Sequence, residues 1–394
     1  MESLYQRQER LLRNLSSDFK RYLYHEISWN HRLIGILGSR GVGKTTMLLQ
    51  HIKESLQPGE ALYITADDLY FSENRLFDVA ESFYQHKGRV LLIDEIHKYG
   101  EWSRELKNIF DSFPELQIIF TGSSVLDILK GYADLSRRAL VYTLQGLSFR
   151  EYLMLFHGYS VERVSLKDIT EHRFTLPGIE HPLPYFKDYL KRGYYPFSLE
   201  GELTIRLRQI LVQTLETDIP QYAHLSVGTS RKLKRLLGII AASVPFKPNF
   251  SKIARLLDIS RNSLDDYFSY LETAGLLMQL RSGTKGIREL GKVNKVYLEN
   301  SNIIYALAED FVNIGNVRET FFFNQMKVQH EVTASKNADF DIEGLIFEIG
   351  GKNKKPKNQK PKNLGADQQI YIVKDDIEVG FQNILPLWAF GLTY

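Results

Sequence analysis

The octet Gly38-Ser39-Arg40-Gly41-Val42-Gly43-Lys44-Thr45 constrains this chain more than any other feature. It fits the pattern G-x-x-x-x-G-K-[ST]. It stands directly after the apolar run Leu33–Leu37 and directly before the helical stretch Thr46–Lys53. A strand–loop–helix of this composition cradles phosphate: glycines let successive backbone N–H groups point inward, and the helix N-terminus adds a positive dipole. Gly38, Ser39, Arg40, Gly41, Val42, Gly43, Lys44, Thr45 and Thr46 are the expected lining. Lys44 is expected at the β/γ-phosphates and the Thr45 hydroxyl on Mg2+.

Fifty residues after Lys44 comes Val90-Leu91-Leu92-Ile93-Asp94-Glu95. Four apolar residues predict a buried strand with two acids at its C-terminal end, where open α/β sheets bind ligands. Asp94 is expected to assist the metal through water, and Glu95 to polarise an attacking water. The run Gln117–Thr121 leads into Gly122-Ser123-Ser124, which puts small polar side chains at the same end of a further strand. With Ala61–Thr65, these short Ile- and Leu-rich runs alternate with helical segments. That pattern predicts an α/β domain over residues 1–150, its parallel sheet buried on both faces. Leu4, Leu11, Leu12, Leu15, Phe19 and Leu23 have the spacing of an amphipathic helix ahead of it.

Hydrophobic residues at 43% and charged residues at 25% exclude general disorder, and the length of 394 residues predicts several cores. The absence of cysteine rules out a disulfide framework, a thiolate metal site and a cysteine nucleophile. The charged start (MESLYQRQER) and the lack of any run of 18 apolar residues predict a cytoplasmic chain that makes no membrane contact. Positive charge is concentrated in one block. Residues 230–290 hold 11 basic against 5 acidic side chains, a net +6, while the other segments are balanced or slightly acidic. Such a block is the usual electrostatic footprint for a polyanion.

Within that block, Ser251–Ser260 reads as a short helix and turn, and Arg261–Leu271 as a second helix. Leu264, Phe268 and Leu271 face its core, and Glu272–Leu277 leads into a strand. This is a helix-turn-helix with a wing, and it resembles winged-helix domains. The second helix of such domains presents its N-terminal residues to the major groove of DNA. Arg261, Asn262, Lys252 and Arg255 are the candidate DNA contacts. Asp265 and Asp266 oppose that reading, and Arg231, Lys232, Lys234 and Arg235 read equally well as a solvated helix face. A low-complexity run, Lys352 to Lys362, holds six lysines in eleven positions and two prolines, and reads as a basic loop.

Gly38–Thr45, Asp94-Glu95-Ile96-His97, Thr121-Gly122-Ser123-Ser124 and Leu147-Ser148-Phe149-Arg150-Glu151 together resemble prokaryotic AAA+ ATPases whose C-terminal half is an accompanying domain of unknown function. The resemblance implies ATP and Mg2+ as ligands and a ring or other homo-oligomer. It also implies Ser123 or Ser124 as a sensor of the γ-phosphate and Arg137 or Arg138 as a finger reaching a neighbouring subunit. An Arg pair in surface salt bridges is the alternative for the last two. The lid arginine of many relatives has no clear match here, and Arg192 is offered for it. The implied layout is a P-loop ATPase domain (1–150), a helical lid or linker (151–229), a winged helix (230–290) and a degenerate restriction-endonuclease-like α+β domain (291–394). In that last domain Asp339 on one strand and Glu348 on the next, with Glu319 upstream, resemble the acids that hold Mg2+ in E-x-K nucleases. The lysine position reads Gly350, and the next lysine, Lys352, is displaced by about 7 Å along a strand.

The reading as a whole is an ATP-hydrolysing protein that couples turnover to DNA binding or remodelling. Its rivals are a slow nucleotide-dependent switch acting through a protein partner, and a nucleotide-controlled DNA nuclease.

Overall fold

The computed structural model describes residues 1–122, 135, 137–223, 225–242, 249–283, 292–308, 312–354 and 369–394. They form two compact units, Met1–Gly146 and Leu147–Tyr394.

The first unit opens with helix α1 (Glu2–Arg13), which ends well short of the predicted periodicity. Phe19 lies in irregular chain and Leu23 in a separate 3-10 turn, Tyr22–His25. Alternating helices and strands follow: β1 (Leu33–Leu37), α2 (Lys44–Ser55), β2 (Ala61–Thr65), α3 (Leu76–Gln85), β3 (Val90–Asp94), α4 (Trp102–Ser112), β4 (Gln117–Gly122) and β5 (Leu140–Thr143). The strands pair in the order β2-β3-β4-β1-β5, every pair parallel. The first three strands are buried at every position, as the largely apolar strands of a parallel sheet covered on both faces are. β5 differs: it lies at the sheet edge and is partly exposed throughout. Only β4 separates the C-terminal ends of β1 and β3, so the phosphate loop, the Asp94–Glu95 pair and Thr121 converge at one edge of the sheet.

In the second unit, α5 (Phe149–His157) starts the chain of helices. Further on, α6 (Val227–Ala242), α7 (Phe250–Leu257) and α8 (Arg261–Thr273) precede the antiparallel hairpin of β6 (Leu277–Arg281) and β7 (Val293–Leu298). Asn249 caps α7 and Ser260 caps α8. The left-handed Asp258 (φ +51°) makes the turn between these two helices. Helix α9 (Ile314–Met326), buried along most of its length, packs on the last sheet. That sheet contains β8 (Val332–Ala334), β9 (Phe340–Ile342), β10 (Leu345–Gly350), β11 (Ile370–Lys374) and β12 (Ile384–Pro386), in the order β12-β11-β10-β9-β8. β8, β9 and β10 run antiparallel, and β10, β11 and β12 run parallel.

Candidate functional site

The loop between β1 and α2 has the backbone that its glycines permit. Gly43, at φ +100°, turns the chain into the helix, and Gly41 also lies at positive φ. A Cβ on Gly38 would stand 2.3 Å from the Leu144 carbonyl oxygen, so only glycine lets the loop lie against the segment after β5. Lys44 is 4% exposed, and its Nζ donates to the Gly38 and Ser39 carbonyls at 2.8 and 3.0 Å. Burial holds this ammonium below the ordinary lysine range, against the opposing pull of Glu95 and Asp94.

Asp94, 3% exposed, is the hub of the site. Its Oδ2 accepts from Thr45 Oγ1 at 2.6 Å and from Tyr63 OH at 2.8 Å, and its Oδ1 accepts from Thr121 Oγ1. Burial first, and the Asp94 carboxylate second, raise the Tyr63 pKa, so the phenol stays a donor. The Thr45 hydroxyl beside the Asp94 carboxylate is the hard-oxygen donor set that Mg2+ takes. Both fit the metal, and the buried loop with its ammonium fits a nucleotide's phosphates.

Glu95 adopts the left-handed region (φ +52°), and its N–H donates to Thr121 Oγ1 at 3.1 Å and Asp94 Oδ1 at 3.2 Å. Left-handed backbone is costly for a side chain with a Cβ, and such strain clusters at functional sites. The Glu95 Oε2 lies 3.4 Å from Nε2 of His97. Burial, reinforced by Lys98, Lys44 and Arg40, pushes the His97 pKa down to about 3, so this imidazole is neutral beside the carboxylate.

Three further residues belong to the site, and of these only Thr121 stands in a stretch the sequence singled out. Tyr63 and Thr121 fix the Asp94 carboxylate from β2 and β4. Arg21 is buried, and its guanidinium donates to the Val42 carbonyl inside the phosphate loop. It also donates to the carbonyls of Gln145 and Gly146, at 2.7 and 2.9 Å. A buried charged side chain is the signal that the sequence does not display: Arg21 sits in Lys20-Arg21-Tyr22 like any surface arginine.

The other candidates divide. Ser123 and Ser124 lie outside the described residues, and Thr121 is the small polar side chain that reaches the site. Arg138 forms a two-pronged pair with Asp111 of α4, Nε and Nη2 each at 3.2 Å, while Arg137 is exposed. Arg192 pairs with Asp188 at 2.8 Å. Lys252, Arg255, Arg261 and Asn262 are all exposed on α7 and the first turn of α8, as are Asp265 and Asp266. On α6, Lys234 pairs with Glu216 at 2.9 Å and Lys232 donates to the Asp258 carbonyl at 2.7 Å, so only part of that basic face is open to a ligand. Leu147–Glu151 proves to be a structural device. Ser148 Oγ accepts from Glu151 N, Glu151 Oε2 accepts from Ser148 N, and Ser148 Oγ and Arg150 Nε both donate to the Tyr394 carbonyl.

The nuclease-like acids of the second unit do not fit a divalent ion. Lys295 Nζ stands 2.9 Å from Glu319 Oε2 and 2.9 Å from Asp339 Oδ1, and Glu348 pairs with Lys354 at 2.7 Å. Among the described residues no group of three or more His, Asp or Glu side chains is placed to hold a metal.

A parallel sheet in this strand order, a phosphate loop after its first strand and an Asp–Glu pair after its third form a P-loop arrangement. Residues 30–153 match a family described as an AAA domain, and residues 183–313 match one described as a domain of unknown function. An uncharacterized protein of Methanocaldococcus jannaschii is 29% identical over 269 residues, covering 63% of this chain and 56% of that protein. The chain therefore spans little more than half the length of that relative. Among solved structures, the Walker-type ATPase of Pyrococcus abyssi is similar at 16% identity and TM-score 0.45, over 73% of this chain and 95% of that one. AMPPCP-bound DnaA from Aquifex aeolicus gives 15% identity and TM-score 0.28 over 68% and 86% of the two chains. No helix among the described residues is long and apolar enough to cross a membrane.

Proposed function

We propose that the chain binds ATP with Mg2+, hydrolyses it, and couples the turnover to DNA through the helix-turn-helix and hairpin of its second unit. The observation that carries the catalytic half is the Asp94 hub, where Thr45, Tyr63 and Thr121 fix one carboxylate beside the Lys44 loop. Lys44 must leave the Gly38 and Ser39 carbonyls to meet the phosphates. Thr45 and Asp94 would hold Mg2+, which supplies charge neutralisation on the transferring phosphoryl group. Glu95 orients the attacking water and takes its proton, with neutral His97 setting the direction of the carboxylate. Thr121 ties the position of Glu95 to that of Asp94.

The DNA half is supported by the net charge of residues 230–290 and by exposed Lys252, Arg255, Arg261 and Asn262 at the start of α8 and along α7. A charge-complementary finger from a second copy would require Arg138 to leave Asp111, and assembly into an oligomer is part of the proposal. The Arg138–Asp111 pair stands against the finger role for Arg138.

Glu95→Gln tests the catalytic assignment. Nucleotide affinity should be kept while kcat falls by about 10²–10⁴, the usual contribution of a positioned general base. Turnover at the wild-type rate would refute the role.

A further inference from the structure

The cluster around Lys295 is the most fully built polar site outside the nucleotide loop. Lys295 and Tyr297 sit two residues apart on β7 and so face the same side of the hairpin. Both address Glu319 of α9, Lys295 Nζ at 2.9 Å and Tyr297 OH at 2.6 Å, on the same Oε2. Asp339, just ahead of β9, completes the group. Its Oδ1 accepts from Lys295 at 2.9 Å and its Oδ2 from the Ile349 N–H of β10 at 2.9 Å. All three charged side chains are mostly buried. Two carboxylates brought this close repel unless a cation stands between them. Here the cation comes from the chain. Burial works against the Lys295 charge, but the two carboxylates outweigh it and hold its pKa above the ordinary lysine range.

We propose that Lys295 is the resident cation of this acid pair. At Glu319 and Asp339, two of the acids that resemble a nuclease's metal ligands, an ammonium stands in the metal's place. It works without a divalent ion as the mount that fastens the β6–β7 hairpin to α9 and the last sheet. The bridge pairing of Ser282 with Ala334 of β8 fastens the same hairpin from its other strand. The chemistry follows from charge and geometry. An ammonium offsets one of the two carboxylate charges and donates to both acids, but it offers no open coordination position and no acidified water for phosphodiester attack. The proposal concerns the second unit alone and stands or falls independently of ATP turnover.

The test uses the full chain without nucleotide, and its probe is Mn2+. Wild type and Asp339→Asn should give the same melting response to Mn2+. Lys295→Met leaves two facing carboxylates, and Mn2+ should raise its melting temperature by several degrees, an effect lost in Lys295→Met/Asp339→Asn. The sign of a second effect should reverse too. Asp339→Asn destabilises the wild type, where it strips a partner from the ammonium, and stabilises Lys295→Met, where it removes repulsion. A Mn2+ response in the wild type that disappears with Asp339→Asn would overturn the proposal, as would Lys295→Met showing neither Mn2+ stabilisation nor sign reversal. Should Lys295→Met fail to fold, the comparison of wild type with Asp339→Asn decides alone: an equal response upholds the assignment and a lost response rejects it.

Discussion

Arg21 ties the phosphate loop to the segment that follows β5, since one guanidinium serves Val42, Gln145 and Gly146. A buried carbonyl left without a donor costs about 1–3 kcal/mol. Arg21→Met should therefore lower stability by at least about 2 kcal/mol in denaturant titration. It should also raise the KM for ATP more than it lowers kcat, because the loop rather than the reacting groups is loosened. Arg21→Lys, which retains the charge but has fewer donors, should fall between. An unchanged KM in a folded Arg21→Met protein would contradict the clamp. The phosphate loop itself was legible because it needs fixed residue types at fixed spacing. Arg21 and Tyr63 were not, because their partners lie 21 to 125 residues away and nothing local marks them.

At the scale of elements, the strands that bind the site were readable to within a residue. β1 stops just before Gly38, β2 two residues before Asp67, and β3 at Asp94. β5 escaped because an edge strand with mixed exposure has no comparable apolar run. The helical spacing of Leu15, Phe19 and Leu23 predicts a longer α1, yet the chain leaves the helix after Arg13. The Leu147–Glu151 stretch carried the family resemblance, and its job is local. Ser148 and Glu151 form a capping box at the start of α5, and Ser148 and Arg150 donate to the Tyr394 carbonyl. Ser148→Ala should cost about 1 kcal/mol, the usual value for a lost N-cap, and somewhat more for the lost bond to Tyr394. The denaturant midpoint should drop while the ATPase rate per folded molecule stays constant. A fall in specific ATPase rate with no loss of stability would make Ser148 a functional residue instead.

At the scale of the whole molecule, two buried histidines set a limit on acid stability. The His51 ring stacks on Trp29 with centroids 3.9 Å apart, and burial pushes its pKa down to about 4. That of His97 is pushed down to about 3. Both are neutral in the folded chain, whereas an unfolded imidazole binds its proton near pH 6.5. Below that pH the unfolded state holds more protons. The stability from keeping these rings neutral is complete above about pH 6.5 and declines as the pH falls toward the folded values. Each ring contributes a slope of up to about 1.4 kcal/mol per pH unit. Denaturant midpoints should therefore fall steadily from about pH 6.5 to about pH 4.5, and His51→Phe should flatten the decline. A flat profile in the wild type would contradict both assignments.

The charge distribution that suggested a polyanion partner was plain in the sequence. How much of it is already committed was not, because the Lys234–Glu216 and Lys232–Asp258 contacts join residues that are remote along the chain. The acids of the second unit were visible as a nuclease-like set for the same local reason. Their lysine came from β7, 24 residues before Glu319 and 44 before Asp339, where no motif points.

Coupling of turnover to nucleic acid is decided by the steady-state ATPase rate with and without duplex, single-stranded and branched DNA, at low and high salt. The account predicts stimulation by DNA that fades as salt rises, since phosphate contacts release counterions. It further predicts that Arg261→Ala and Lys252→Ala weaken the stimulation while leaving the basal rate intact. A slow rate indifferent to every DNA at both salt concentrations would contradict coupling to nucleic acid and leave the nucleotide switch as the reading of this chain.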